Sequence, residues 1–521
     1  MRYGWSLVLI GGVWAQGLEP LRDSLLLENE RIEALDLAER PWPIVPLLPG
    51  PAWPVTSPRW EGLPAPPFLR PTPLSPARPT WTRLAPLHLR YDIGRFWTQR
   101  IAVGWNRTRD LSRDEGVAFS HASTPVGHVP QARWGHTYLQ VWWGRYTPSA
   151  SIEVGYRGGY EKFRFYAPYA ERWPGFSEND PLPDTLRGHY VRQELTLSAQ
   201  HRRWGQLQVA SRRLDLARGA PEWQASLEAH SRRYFLPASS LTAEVAFTAF
   251  VEGQRYAFSL APRVLGHKGP WQGYLGLRAA VAQDSSPRLL LAPLLQLLYA
   301  GLSPYLRPYI ETSGDLRAIT YYSASELNPY LRKTPSLLPF TREWLKAEGG
   351  VKGQGAGWEY RLAGEYRIAQ GVLQYRPQGP AFVLRGIDRF QSLGLLGEWR
   401  YLPFAQGPYV EAQGAYRHWT LPPQTLYYSV APWEIALRGG YRWDDRALVT
   451  ASIWVIGART LADTLSAPPF VDISWETHLR LWPFLSFFVQ MNNLLNRPFY
   501  RWYGYRERPL DFRFGLWLKV G

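Results

Sequence analysis

The end of the chain alternates strictly. Between Asp511 and Val520, Phe512, Phe514, Leu516, Leu518 and Val520 fall on one side, and Arg513, Gly515, Trp517 and Lys519 fall on the other. Successive side chains of a β-strand point to opposite faces, so this stretch predicts a strand with one apolar and one mostly polar face. The period recurs upstream. Glu359, Arg361, Glu365 and Arg367 alternate with Trp358, Tyr360, Leu362, Tyr366 and Ile368. Glu434, Arg438 and Arg442 oppose Ile435, Leu437 and Tyr441, and Asp472, Glu476 and Arg480 oppose Val471, Ile473, Trp475, Leu479 and Leu481. A water-soluble sandwich built from such strands puts either charge in its core or Trp and Leu in water. A barrel with a lipid-facing exterior and a wet lumen removes the conflict.

The connections alternate in length. Reading back from the C-terminus, Trp482-Pro483, Asp444-Asp445, Pro403 to Gln406 and Gly353 to Gly357 are tight. Gly457 to Pro468, His418 to Ala431 and Ser313 to Arg342 are long. Short turns on one rim and long loops on the other mark the periplasmic and extracellular ends of a bacterial outer-membrane barrel. The expected fold is therefore all-β: a large transmembrane antiparallel barrel over residues 87–521, of about 22 strands (range roughly 18–22). Ala150 to Ala167 reads equally well as one long strand or two short ones. The terminal strand is expected to close the ring, pairing with Leu485 to Asn492 on one side and with the first strand near Leu87 on the other.

The first 86 residues read differently. Met1-Arg2 precedes an apolar run from Trp5 to Trp14, with Val13 and Ala15 placed for a signal peptidase, so residues 1–15 are expected to be a cleaved signal peptide. Residues 16–86 form a charged and then Pro-rich arm; proline recurs from Pro41 to Thr80, which favours extended polyproline and excludes sheet ladders. The arm is expected in the periplasm, as a tether or as a docking strand for a protein partner. The longest apolar run, Leu289 to Ala300, is too short for a membrane-crossing helix and contains Pro293.

Composition narrows the chemistry. There is no cysteine, which excludes disulfides, zinc-thiolate sites and thiol nucleophiles. No H-E-x-x-H and no G-x-S-x-G occurs, the ten histidines are scattered, and neither a catalytic site nor a metal or cofactor is expected. The net charge of +16 is carried by arginine, with six lysines among 59 basic residues. Arginine beside aromatics suits nucleic acid, but export makes that partner unsuitable. In the segment Asn496 to Arg508, Arg497, Tyr500, Arg501, Trp502, Tyr503 and Tyr505 are candidate extracellular contacts. They suit sugars and the phosphates of outer-membrane lipid and lipopolysaccharide, or packing into the barrel mouth and membrane girdle. Glu359, Arg361, Glu365, Arg367, Glu434, Arg438, Arg442, Asp472, Glu476 and Arg480 are candidate lumenal charges, placed to brace the wall or to meet a solute.

The stretch Phe487 to Tyr505, FFVQMNNLLNRPFYRWYGY, followed by a final amphipathic strand, resembles the end of TonB-dependent receptor barrels. In those, an N-N-L-x-N-x-x-Y segment leads into an aromatic loop; Phe499 stands here where the pattern has Tyr. Asn328-Pro329-Tyr330-Leu331 and the strands from Trp433 to Arg480 are similar to a receptor-like branch of that family. The resemblance implies an outer-membrane receptor that binds or passes a solute. It also implies a folded N-terminal plug, and a Pro-rich arm of about 70 residues is too short and too irregular for one. The expectation is thus a plug-less relative, not an enzyme, whose wide pore must be filled by loops, lumenal side chains or a partner. The alternative is a structural subunit of an outer-membrane assembly or secretion complex.

Overall fold

The computed structural model describes residues 87–520, apart from 108–112, 127–131, 148, 167–186, 202–204, 217–220, 235–241, 284–286, 334–337, 356, 403–406, 423–424, 429, 444–445, 463–464 and 507–508. The expected signal peptide and arm lie outside the described residues. In chain order the strands begin with β1 (Leu87–Gly94), β2 (Thr98–Asn106), β3 (Arg113–Thr124), β4 (Trp134–Tyr146), β5 (Ala150–Arg164), β6 (Arg187–His201), β7 (Gly205–Leu216) and β8 (Glu222–Tyr234). They continue with β9 (Thr242–Glu252), β10 (Arg255–Lys268), β11 (Trp271–Gln283), β12 (Pro287–Tyr299), β13 (Arg307–Ala318), β14 (Phe340–Gly355) and β15 (Trp358–Gln370). Next come β16 (Val372–Gln378), β17 (Ala381–Ile387), β18 (Phe390–Tyr401), β19 (Gly407–Thr420), β20 (Trp433–Trp443), β21 (Ala447–Ile456), β22 (Arg459–Ala462) and β23 (Leu465–Ala467). The last are β24 (Phe470–Trp482), β25 (Leu485–Asn492), β26 (Tyr500–Trp502), β27 (Tyr505–Arg506) and β28 (Asp511–Val520). One short helix, α1 (Tyr321–Leu327), lies between β13 and β14.

Six strands form three small hairpins, β16–β17, β22–β23 and β26–β27, and the other 22 form one antiparallel sheet. That sheet is closed. β28 pairs with β25, Leu485 facing Leu518, and with β1, Leu87 facing Val520 and Gly94 facing Arg513. This is the pairing expected of the terminal strand. Ala150 to Arg164 is one strand, not two.

Register fixes which residues meet lipid. On β28, Phe512, Phe514, Leu516 and Val520 are exposed, while Asp511, Arg513, Gly515 and Trp517 are buried. The same division runs around the ring, for example Leu393 and Leu395 outside on β18 and Leu289 and Leu291 outside on β12. So many exposed large apolar side chains in one continuous band are intolerable in water and required in a bilayer. No described helix is long and apolar enough to cross a membrane, so the strands do the crossing.

Both described ends share one rim, here the terminal rim. Its connections are short, none exceeding the seven residues of 235–241 and 300–306. The opposite rim, the loop rim, carries 125–133, 165–186, 319–339, 371–389, 421–432, 457–469 and 493–510. The loop rim also has short links at 95–97, 217–221, 253–254 and 284–286, so the alternation in length holds fully only after β13. At 253–254 the turn needs Gly253, whose φ is +57°. The triple-glycine segment is not all turn: Gly353 and Gly355 belong to β14. Likewise Ser313 to Ala318 and Phe340 to Arg342 are strand, which leaves 319–339 as the connection.

If the outward face of β28 lies in hydrocarbon, Phe514→Arg should cost roughly 2–4 kcal/mol near the midplane. Urea-titrated folding of the purified barrel into vesicles measures this, and an unchanged midpoint contradicts the assigned face.

Candidate functional site

Described residues of the connections after β13, β15 and β25 are largely buried against the inner wall and one another. α1 is short, and three hydrogen bonds fix its first turn. The Thr320 hydroxyl accepts from the Ser323 amide at 3.1 Å, and the Glu222 carboxylate of β8 accepts from the Tyr321 and Tyr322 amides at 2.9 Å each. These bonds satisfy amides that a helix start otherwise leaves open. Arg255 of β10 donates to the Ile319 carbonyl at 3.0 Å, and Arg192 of β6 donates to the Ser325 hydroxyl at 2.9 Å. Tyr190 of β6 donates to the Pro329 carbonyl. The 319–339 segment is therefore bound to the inner wall along β6, β8 and β10.

Aromatic side chains from separate roots meet above it. The rings of Tyr330 and Tyr505 stack at 3.6 Å with 16° between planes, and Tyr166 meets Tyr505 edge-on at 5.0 Å. Trp502 meets Tyr375 at 4.9 Å and Phe382 at 5.5 Å. These residues belong to the connections after β5, β13, β15 and β25, and the buried cluster includes Phe163, Tyr190 and Leu214 of the wall. Since β15 and β18 are rooted on the far side of the ring from β6, the cluster bridges the mouth. Each aromatic pair adds about 0.5–1.5 kcal/mol beyond the area it buries. Main-chain bonds join the loops too. Arg332 donates to the Phe382 carbonyl at 2.8 Å, and the Phe382 amide donates to the Tyr330 carbonyl at 2.9 Å.

Beneath α1 lies a belt of charge on β5, β6 and β7. Arg192 pairs with Glu161, which also accepts from the Tyr138 hydroxyl at 2.6 Å; Arg212 pairs with Glu194 at 2.6 Å; and Arg157 stands 3.7 Å from Glu194. Glu326 of α1 is buried among them. Burial, followed by the Glu194 carboxylate, pushes its carboxyl up to about 8, against the pull of Arg192, Arg212 and Arg157.

The residues expected from sequence take distinct places. Trp502 and Tyr505 are buried in the mouth cluster and Tyr503 packs against it. The Tyr500 carbonyl accepts from Arg459 at 2.8 Å. Arg497 is exposed, its main chain held by Asn493, whose side chain donates to the Arg497 carbonyl at 2.7 Å and accepts from its amide at 3.1 Å. The Arg501 side chain lies outside the described residues. Asn493 and Asn496 adopt positive φ of 50° and 51°, which explains asparagine in the N-N-L-x-N segment.

Among the lumenal charges, Arg367 pairs with Glu343, Glu365 with Lys346 at 3.3 Å and Arg361 with Glu348. Glu359 meets Arg400 at 3.3 Å near the terminal rim. Asp472 accepts from the Asn493 amide at 2.8 Å, Glu476 stands 2.9 Å from His478, and Arg438 lies over the Tyr409 ring at 5.9 Å. Glu434 and Arg442 are half-buried, and Arg480 is exposed at the terminal rim, donating to the Pro483 carbonyl at 3.2 Å. The wall of β13 to β19 is thus cross-braced, but these ten residues do not converge on one site. Glu343, Lys346 and Glu348 escaped the periodic pattern because a bulge between Glu343 and Leu345 shifts the alternation. No described group of three His, Asp or Glu side chains is arranged to hold a metal.

The architecture is shared with solved structures. The chain superposes on the copper transporter OprC with a TM-score of 0.62 at 11% identity, over 83% of this chain and 80% of that one. The ferric-catecholate import receptor Fiu from E. coli K12 gives 0.61 at 10% identity, over 83% and 81%. The FrpB iron transporter from Neisseria meningitidis gives 0.62 at 8% identity, over 83% and 82%. The chain has the barrel fold of these outer-membrane import proteins. No family model matches the sequence, and no curated protein does.

Two outcomes test the loop packing. The chain lacks cysteine, so Ala324→Cys in the buried face of α1 is a clean reporter. It should resist maleimide in the parent and react at least about tenfold faster once Tyr505→Ala removes roughly 3 kcal/mol of packing; equal rates would show that the knot does not hold the loop. For Glu326, a raised folded pKa means stabilisation that is full below about 4.5 and is lost as pH rises through about 8. Amide exchange of residues 321–333 should therefore accelerate between pH 6 and pH 9 after correction for intrinsic rates, and Glu326→Gln should flatten that dependence.

Proposed function

We propose that the chain is an outer-membrane receptor for passage of a solute, with its own loops, in place of a separate plug domain, closing the extracellular mouth. The observation that carries this reading is the aromatic knot of Tyr166, Tyr330, Phe382, Trp502 and Tyr505, which joins loops rooted around the ring. A ring of 22 strands encloses a channel wide enough to compromise the membrane unless it is filled or covered. Loops fastened by hydrogen bonds and ring stacking, with few covalent constraints, can cover the mouth and still move aside.

The solute class follows the neighbours, whose names specify copper, iron and a ferric catecholate. A metal chelate is the class assigned here. The aromatic rings gathered where the loops meet suit planar, aromatic ligands once the loops part. The signal-peptide-like pattern of residues 1–15 and the short-turn rim favour an outer-membrane location with the loop rim outside.

The test uses Tyr166→Cys with Tyr505→Cys, whose parent rings lie 5.0 Å apart on different loops. Joined by a short bismaleimide, they should abolish accumulation of labelled ferric catecholate in cells expressing the chain, whereas the unlinked double variant retains it. Equal accumulation with and without the cross-link, or none above cells lacking the chain, overturns the reading.

A further inference from the structure

The inner face of the ring is not uniform. On the arc that runs from β21 through β24, β25 and β28 to β1, β2, β3 and β4, most inward side chains are buried, down to the terminal rim. His88 and Asp92 of β1, Asn106 of β2, Asp114 and Ser120 of β3 and Thr450 of β21 each keep 2% or less of their surface. Further round, inward side chains near the same rim are open: the Glu359 side chain of β15 is 60% exposed, and those of Glu398 and Arg400 on β18 are 45% and 43% exposed. A ring of 22 strands is too wide for its far wall to cover the buried arc. The loop-rim segments start a strand length away from His88, Asn106 and Asp114, about 30 Å for the nine residues of β2. The terminal-rim connections within the arc and at its edge, 107–112, 147–149, 444–446 and 483–484, are at most six residues long.

The arc is also prepared for polar main chain. Gln140 Oε1, Trp142 Nε1 and Trp517 Nε1 are buried and have no hydrogen-bond partner among the described residues. Groups removed from water in this way call for a partner that reaches them. Residues 16–86 lead directly into β1, in the middle of the arc. A proline-rich segment offers carbonyl oxygens and few amides, which matches the two indole N–H donors. Its reach is ample, since residues 41–86 extended as polyproline span roughly 140 Å, several times the height of the wall. Its charge is complementary as well. Residues 16–40 carry seven Asp and Glu against three Arg, in a chain of net charge +16. On the wall, Arg90 pairs with Asp92 at 3.3 Å, and Arg100 and Arg513 act on the same carboxylate.

We propose that residues 16–86 turn back from β1 into the barrel and lie as an extended strap along the inner face from β21 to β4. The strap is a lining held to one arc, not a folded domain across the lumen, and it leaves the wall of β15 and β18 open to water. The sequence pattern alone places the same residues in the periplasm, because nothing in it shows that one arc of the wall is covered. The contact is independent of which solute passes, or whether one does.

The experiment places the photoreactive residue p-benzoylphenylalanine in the full chain in isolated outer membranes, in place of Phe488 on β25 and, separately, of Trp142 on β4, both inward and buried. After irradiation the joined peptides are identified by mass spectrometry. Peptides from residues 16–86 should be captured at both positions. Capture of peptides from 87–521 alone, of a separate protein, or of nothing overturns the proposal. A second measurement changes the wall less and stands by itself if the bulky probe keeps the barrel from forming. The chain has no cysteine, so Ser120→Cys on the covered arc is compared with Gln413→Cys, at an exposed inward position of β19. With maleimide, Ser120→Cys should react at least about tenfold more slowly, because the strap must lift before the thiol is reached. Equal rates overturn the proposal.

Discussion

Everything in this molecule depends on closing the ring of backbone hydrogen bonds. In hydrocarbon an unpaired amide or carbonyl costs several kcal/mol, so a sheet with a free edge cannot cross a bilayer. The contact between β1 and β28, Leu87 to Val520 and Gly94 to Arg513, removes that edge. Once it forms, outward side chains within the hydrocarbon band must be largely apolar, and inward ones are released from that demand. The period of two seen along the chain is the imprint of this single constraint.

Closure creates a second problem, which the loops answer. A wide ring cannot fill its lumen from wall side chains alone, and its inner surface here is built from charge: Glu161, Arg192, Glu194 and Arg212 on one arc, Glu343, Lys346, Glu348 and Arg361 on another. These charges are paired with neighbours on adjacent strands, so they stiffen the wall without reaching across. Bridging is left to segments long enough to reach the opposite side. α1 is held to the wall by Glu222, Arg255 and Arg192, and the rings of Tyr166, Tyr330, Trp502 and Tyr505 join the connections after β5, β13 and β25. The arrangement is polar where it touches the wall and aromatic where loop meets loop. Aromatic contacts are strong in sum but individually modest.

Much of the ring was legible from residues. The alternation of Asp511 to Val520 and of Trp358 to Ile368 reports faces directly, because strand side chains have only two directions. The partners of the last strand follow from topology, since a closed meander leaves its two ends only each other. The bulge after Glu343 broke the pattern locally, and the inward charges of β14 were missed for that reason alone. Arg157, Glu161, Arg192 and Arg212 escaped for another: charge at alternate positions says that a face is wet but not what will dock on it. The aromatic segment around Trp502 was visible as chemistry, and its neighbours were not.

The sequence by itself determined the strand faces, the closed-sheet class and the rim to which the long connections belong, because each depends on contacts between near neighbours or on the medium. Tertiary structure decided that Tyr505 stacks on Tyr330 and that Glu326 is buried beside Glu194. Those facts join positions separated by whole strands or by hundreds of residues. Only the register and curvature of the completed ring set the distances between them.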